Sequence, residues 1–235
     1  DSGPGLQEEE QAITAFLQQR VAGLVLHNTS HTPAAIEMIG NAKIPVVENG
    51  NLTTEPLDSV VSYSNHDAAR AMTLHLARMG YKQIAFVSLV RRENDRARER
   101  LRGYQAALKE LGRKSDDALI LERPSGFSAG AEAVAHLVET APQVDAVFFA
   151  GDVLAVGAAL ECQRRGWKVP GRVALASFDD LDILRHVNPP LTTIRLPRYE
   201  IGRRSGECLL DRIAGRTTEP ITLDLKFEII QRESA

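Results

Sequence analysis

Several things are missing from these 235 residues, and each absence removes a class of function. No apolar run approaches the roughly 20 residues of a membrane-spanning helix. Cysteine is scarce. Cys162 and Cys208 both fall in predicted helices and read as reduced, small apolar residues rather than as a disulfide framework, which suits a cytoplasmic location. An excess of positive charge is also lacking. Lys plus Arg is 28 against 31 Asp plus Glu, a net charge of -3, so this stretch has no bulk basic surface with which to hold a nucleic-acid backbone. His27, His31, His66, His75, His136 and His186 show no metal-ligand spacing, and all read as structural or surface residues. Neither a G-x-S-x-G nor a G-x-x-x-x-G-K-[ST] run occurs, and no Ser has a convincing base beside it. The expectation is a chain without metal, cofactor or catalysis.

What is present is an alternation of short apolar runs and amphipathic segments, with 43% apolar residues, ample for a core. The chain is organised around Ala150 to Pro170, AGDVLAVGAALECQRRGWKVP. Phe148, Phe149 and Ala150 end a buried strand, Gly151-Asp152 starts a helix with Asp152 as its cap, and Gly166 stops it. The next strand, Val173 to Phe178, ends in Asp179-Asp180. Two successive strand ends therefore bring Gly151, Asp152, Asp179 and Asp180 to one edge of a parallel sheet, the edge at which open α/β sheets bind ligands.

Asp1 to Gly5 reads as a turn, and helices are expected at Leu6 to Gln19, Pro33 to Ile39, His66 to Arg78 (capped by Asn65), Arg96 to Leu111, Phe127 to Thr140 and Tyr199 to Ala214. Strands are expected at Val21 to His27, Ile44 to Glu48, Val60 to Tyr63, Gln83 to Ser88, Ala118 to Leu121 and Ala146 to Ala150, with Leu191 to Leu196 extended and Ile221 to Ile230 forming one or two more. Asp182 to His186 is expected as a short helix. This order predicts an α/β fold on a parallel, doubly wound sheet.

Six runs, in order, carry a resemblance. They are Arg20-Val21-Ala22-Gly23-Leu24-Val25-Leu26, Ile44-Pro45-Val46-Val47, His75-Leu76 through Ile84-Ala85-Phe86, Arg100-Leu101-Arg102-Gly103-Tyr104, Gly151-Asp152 with Ala155, Gly157 and Ala158, and Pro190-Leu191-Thr192-Thr193-Ile194. Together they resemble the effector-binding core of the LacI/GalR family of bacterial transcriptional repressors. Tyr81 stands where that family usually has His, and Gly151 where it commonly has Asn. The run Val156-Gly157-Ala158-Ala159, with Glu161-Cys162-Gln163-Arg164 and Pro45-Val46-Val47-Glu48, is similar to the gluconate-utilisation repressors within it.

The resemblance implies two doubly wound parallel-sheet lobes of the type I periplasmic-binding-protein kind, joined by crossover strands, with a small ligand in the cleft between them. The expected first lobe is 1–64 plus 196–223 and the second 65–195 plus 224–235. The first lobe looks incomplete, without its first two strands and first helix, and the DNA-reading helix-turn-helix is absent from the sequence. By the same resemblance Arg100 is the foremost ligand residue, with a guanidinium suited to a carboxylate or vicinal diol. Asp179 can accept hydroxyl hydrogen bonds, Gly151 leaves room, Phe149 can floor the pocket, and Glu48 sits at a strand end. Competing readings are a solvated charge run for the arginines from Arg91 to Arg102, plain core for Phe149 and a solvated strand-edge charge for Glu48. Leu160, Leu181 and Leu184 are the expected face of a homodimer. The implied function is a ligand-sensing repressor core. It answers to a sugar acid or sugar and acts on operator DNA through a domain outside this chain. A transport binding protein of the same fold is the alternative, and an enzyme on a doubly wound sheet is a third reading that no motif supports.

Overall fold

The computed structural model describes residues 5–235; the turn expected at Asp1 to Gly5 lies almost wholly outside them. The chain divides into two compact units, one of residues 1–64, 92–96 and 197–226 and the other of residues 65–91, 97–196 and 227–235.

The first unit opens with helix α1 (Leu6–Gln18), then strand β1 (Leu24–Leu26), helix α2 (Pro33–Ala42) and strands β2 (Val46–Glu48) and β3 (Ser59–Ser62). Helix α7 (Arg198–Ile213) and strand β9 (Thr222–Asp224) complete it. Its sheet is parallel throughout, in the order β1-β2-β3-β9. Both faces are covered, which is why the strands read as near-continuous apolar runs. Ile13, Leu24, Leu26, Ala35, Ile39 and Val46 pack together on one face, and Val47, Val61 and Cys208 on the other. Thr32 caps α2 by accepting the Ala35 N–H, with Pro33 just inside the helix where its missing N–H costs nothing.

The second unit holds helix α3 (Asn65–Arg78), strand β4 (Ile84–Leu89), helix α4 (Asp95–Glu110), strand β5 (Ile120–Arg123), helix α5 (Phe127–Thr140), strand β6 (Ala146–Phe149) and helix α6 (Asp152–Arg165). Strands β7 (Ala174–Phe178), β8 (Thr192–Arg195) and β10 (Glu228–Ile230) follow; the first two residues of α4 belong to the first unit. The sheet order is β10-β8-β7-β6-β4-β5, parallel except for β10. Strand alternation divides the core. Ala85, Val87, Val147, Phe149 and Leu175 pack with α5 and α6. On the opposite face Phe86 stacks on Tyr104 and meets Phe148 edge-on, and Phe148 stacks on Phe178.

Four local expectations are revised. The first strand is only Leu24–Leu26, paired with Val46–Glu48, and begins three residues later than the apolar run. A 3-10 turn at Asp117–Leu119, capped by Asp116, replaces the start of the expected strand, and β5 begins at Ile120. The helix expected at Asp182 to His186 is a 3-10 turn, Asp182–Arg185. Asn65 and Asp152 are the first residues of their helices rather than caps.

Candidate functional site

In the second unit the chain runs from β4 through α4 to β5 on one side, then returns through α5 to β6 on the other side of β4. The strand order therefore reverses between β4 and β6, and the carboxyl ends of those strands form a topological switch point, the place where open α/β sheets hold ligands. Leu89 ends β4, and Ala150-Gly151 follow β6.

Arg100, on the first turns of α4, is fixed at this edge. Its Nε donates to Asn65 Oδ1 at 2.8 Å and its NH1 to the Ala150 carbonyl at 2.8 Å. The guanidinium carbon lies 3.7 Å from the centre of the Phe178 ring, within cation–π range. Asn65 is fully buried, so its amide orients Arg100 from within the protein. α4 approaches the start of α3 this closely because residue 103 is glycine. A Cβ there would lie 2.0 Å from the His66 carbonyl oxygen. The Arg-x-x-Gly spacing thus has a geometric meaning: the glycine lets the helices touch, and the arginine one turn earlier reaches Asn65.

Gly151 stands beside Leu89 with space around it, since a Cβ would meet the Leu89 side chain only at 3.6 Å. Asp152 accepts the Val153 N–H at 2.7 Å. Asp179 and Asp180 diverge. Asp179 has φ 81, a left-handed conformation that a non-glycine residue keeps only under constraint. Its carbonyl accepts the Thr193 hydroxyl, and its Oδ1 accepts the Asp180 N–H at 3.1 Å. Asp180 turns inward to Arg195 Nε at 2.9 Å and Arg232 NH2 at 2.7 Å. Burial of this carboxylate works against its charge, but the hydrogen bonds from Arg232 and Arg195 outweigh that and lower its pKa.

Three sequence-named residues stand elsewhere than expected. Phe149 is fully enclosed in the core against α5 and α6, so it floors no pocket; β6 points it to the opposite face from Phe148, and it is Phe178 that lies under Arg100. Leu184 is fully buried in the same core and is not available to a partner subunit. Leu160, Leu181 and the neighbouring Ile183 are exposed.

Glu48, the third, named as a ligand residue with a solvated strand-edge charge as the competing reading, is buried among protein partners. Its Oε1 lies 3.2 Å from His31 Nε2, and its Oε2 accepts the Leu57 N–H at 2.6 Å. The other ring nitrogen of His31 lies 2.7 Å from Glu9 Oε2, and Glu9 also accepts from Asn28 Nδ2 at 3.1 Å. The His31 side chain is only 2% exposed. Burial disfavours its charge, but hydrogen bonds to Glu48 and Glu9, and the attraction of those carboxylates, outweigh burial and raise its pKa from 6.5 to about 9.

Sequence reasoning missed Asn65, Phe178 and His31. Phe178 carries a parity signal, two residues beyond the Ala176 that pairs with Phe148. The carboxylates around His31 lie 22 and 17 residues from it, and nothing local marks them as partners. Among the described residues no group of three or more His, Cys, Asp or Glu is placed to hold a metal ion, and no helix is long and apolar enough to cross a membrane.

Residues 73–235 match the family described as periplasmic binding protein-like domain. The chain is 36% identical to the HTH-type transcriptional regulator GntR of Escherichia coli K12 over 94% of its own length and 66% of that protein's. It thus spans about two thirds of such a relative. Among solved structures, the transcription regulator GntR of Chromobacterium violaceum superposes with a TM-score of 0.89 at 33% identity, covering 97% of this chain and 84% of that one. A transcriptional regulator CelR–cellobiose complex superposes at 0.86 with 31% identity, covering 97% and 70%.

Proposed function

The chain belongs to the LacI family of transcriptional regulators, in the GntR subgroup, and on that premise we propose that it is the effector-sensing core of a transcriptional repressor. The effector is a hydroxylated carboxylic acid of the gluconate type, bound at the switch point of the second unit. Its binding favours one conformation of the protein and so biases a helix-turn-helix segment outside residues 1–235. The coupling is reciprocal: whatever affinity operator DNA loses when effector binds, effector loses when DNA binds.

The observation that carries this reading is Arg100, held by Asn65, the Ala150 carbonyl and Phe178 at the carboxyl end of β6. A guanidinium whose orientation is set before ligand arrives recognises a planar carboxylate at little further entropic cost. Asp179 offers a hydroxyl acceptor, and Gly151 keeps the space beside Leu89 open. Leu160 and Leu181, with Ile183, are the proposed homodimer face. Relatives named as regulators weigh against a transport binding protein and against an enzyme.

A thermal-shift screen with gluconate, 2-keto and 5-keto sugar acids, neutral hexoses and their phosphates tests the reading. A ligand at a hundredfold excess over its Kd stabilises the fold by about 2.7 kcal/mol. A shift with sugar acids that disappears in Arg100→Ala is the expected result. A shift with neutral sugars that survives Arg100→Ala would discard the anionic effector, bringing this chain closer to the cellobiose-bound relative.

A further inference from the structure

We propose that His31 is a positioning residue, a buried imidazolium that locks together the two loops at the carboxyl edge of the first unit's sheet. Those loops are 27–32, between β1 and α2, and 49–58, between β2 and β3. The carboxyl edge is where such sheets present their ligand-side loops, and nothing in the sequence motifs assigns His31 a role there.

The geometry requires two protons on or beside the ring. Each ring nitrogen faces a carboxylate oxygen, Glu9 Oε2 on one side and Glu48 Oε1 on the other. A neutral imidazole has one N–H and one lone pair, so it would set a lone pair against a carboxylate unless that carboxyl were protonated. With His31 charged, both contacts become charge-assisted hydrogen bonds in a site closed to water. The elevated proton affinity of the ring agrees with this arrangement.

The charged groups around the ring come from every element packed on it. α1 supplies Glu9, and also Glu10, which accepts the Thr32 hydroxyl. β2 supplies Glu48, whose second oxygen holds the far end of loop 49–58 at Leu57. From the start of α4, Asp95 accepts the Thr29 N–H, and Arg96 reaches Asn28 Oδ1 at 3.5 Å. The 27–32 loop is thus tied by acidic side chains at four of its residues, and His31 connects it to the anchor of the 49–58 loop. Removing the cation leaves Glu9 and Glu48 buried without the charge that offsets them, and both loops lose their common anchor.

Only one arm of the test depends on the effector reading, so the two can fail separately. In the first arm, 15N NMR of the imidazole and amide hydrogen exchange are followed from pH 6 to 10 in the wild type, His31→Gln and His31→Lys, without ligand. The expected result is a ring protonated on both nitrogens at pH 7 that titrates near pH 9. Exchange in residues 27–32 and 49–58 should accelerate at least tenfold over the intrinsic rate as pH rises through that range. His31→Gln should show the faster exchange at every pH, and His31→Lys should recover protection in part. The second arm measures gluconate binding to the wild type over the same range and tests the effector reading alone. A ring neutral at pH 7, or loops equally protected in His31→Gln, would overturn the proposal. Absence of gluconate binding at any pH would count against the effector reading alone, and the ring titration and loop exchange of the first arm would still decide for or against His31.

Discussion

Replacing Gly103 by Ala should weaken both the fold of the second unit and its grip on effector. In an open helix this change stabilises, because glycine is about 1 kcal/mol poorer than alanine in a helix interior. Here the new Cβ would fall 2.0 Å from the His66 carbonyl oxygen and 3.0 Å from the Arg70 amide nitrogen, both backbone atoms with no rotamer by which to withdraw. Restoring a contact of about 3 Å means separating α4 from the start of α3 by about 1 Å, and overpacking of that kind costs about 1–3 kcal/mol. The same displacement stretches the 2.8 Å bond from Arg100 Nε to Asn65. A hydrogen bond to a charged group contributes about 1.5–3 kcal/mol. After the helix-propensity gain, the net expectation is a loss of about 2–4 kcal/mol in urea unfolding. Effector affinity should fall at least tenfold, equivalent to about 1.4 kcal/mol. Gly40→Ala is the control: it lies within α2 with nothing inside 4 Å of a Cβ, and should gain up to about 1 kcal/mol. If Gly103→Ala unfolds at the wild-type urea concentration and binds gluconate as tightly as wild type, the close approach of α4 to α3 does not set the position of Arg100.

Other perturbations follow from the same contacts. The folded-state pKa of His31 is raised, so its contribution to stability is complete below the unfolded value of 6.5 and is lost as pH rises through about 9. The interval from 6.5 to about 9 corresponds to about 3 kcal/mol, and pH-resolved urea unfolding should show the decline in wild type but not in His31→Gln. Asp180→Asn leaves Arg195 and Arg232 without their shared carboxylate and should cost about 2–3 kcal/mol at neutral pH. Because the Asp180 pKa is lowered on folding, this difference should shrink as pH falls into the acid range, read by thermal unfolding at successive pH values. Leu160→Glu should shift sedimentation toward monomer without lowering the melting temperature of a dilute sample, whereas Leu184→Ala should cost about 2–5 kcal/mol as a cavity in the core.

How far the sequence could be read depended on whether a feature was written locally. Helices α5 and α6 were legible to their end residues, since Asp152 and Gly166 punctuate the latter and α5 lies between a glycine and the Pro-Gln turn. The 3-10 turn at Asp117–Leu119 was not, because Asp116 diverts the chain before the apolar run can extend. Arg100 and Gly103 were named from a motif, but the reason for their spacing, the His66 carbonyl under Gly103, is a tertiary contact. Phe149 was named for the pocket floor, with plain core as the competing reading, and Phe178 was missed, for want of parity. Two adjacent phenylalanines in a strand must face opposite ways, and only the register with β7 shows which one shares a face with Phe178. Glu48 was named as a ligand residue, with a solvated strand-edge charge as the competing reading, because Glu9 and His31, which enclose it, come from other elements.

The central claim is that a fixed guanidinium at the second unit's switch point recognises the carboxylate of a sugar acid. Calorimetric titration of gluconate and of glucose into the wild type and Arg100→Lys measures it most directly. Lysine keeps the positive charge but not the planar fork held by Asn65 and Ala150. Gluconate should bind the wild type and bind Arg100→Lys at least tenfold more weakly, and glucose should show no comparable binding. Equal affinity of wild type and Arg100→Lys for gluconate, or preference for glucose in both, would contradict it.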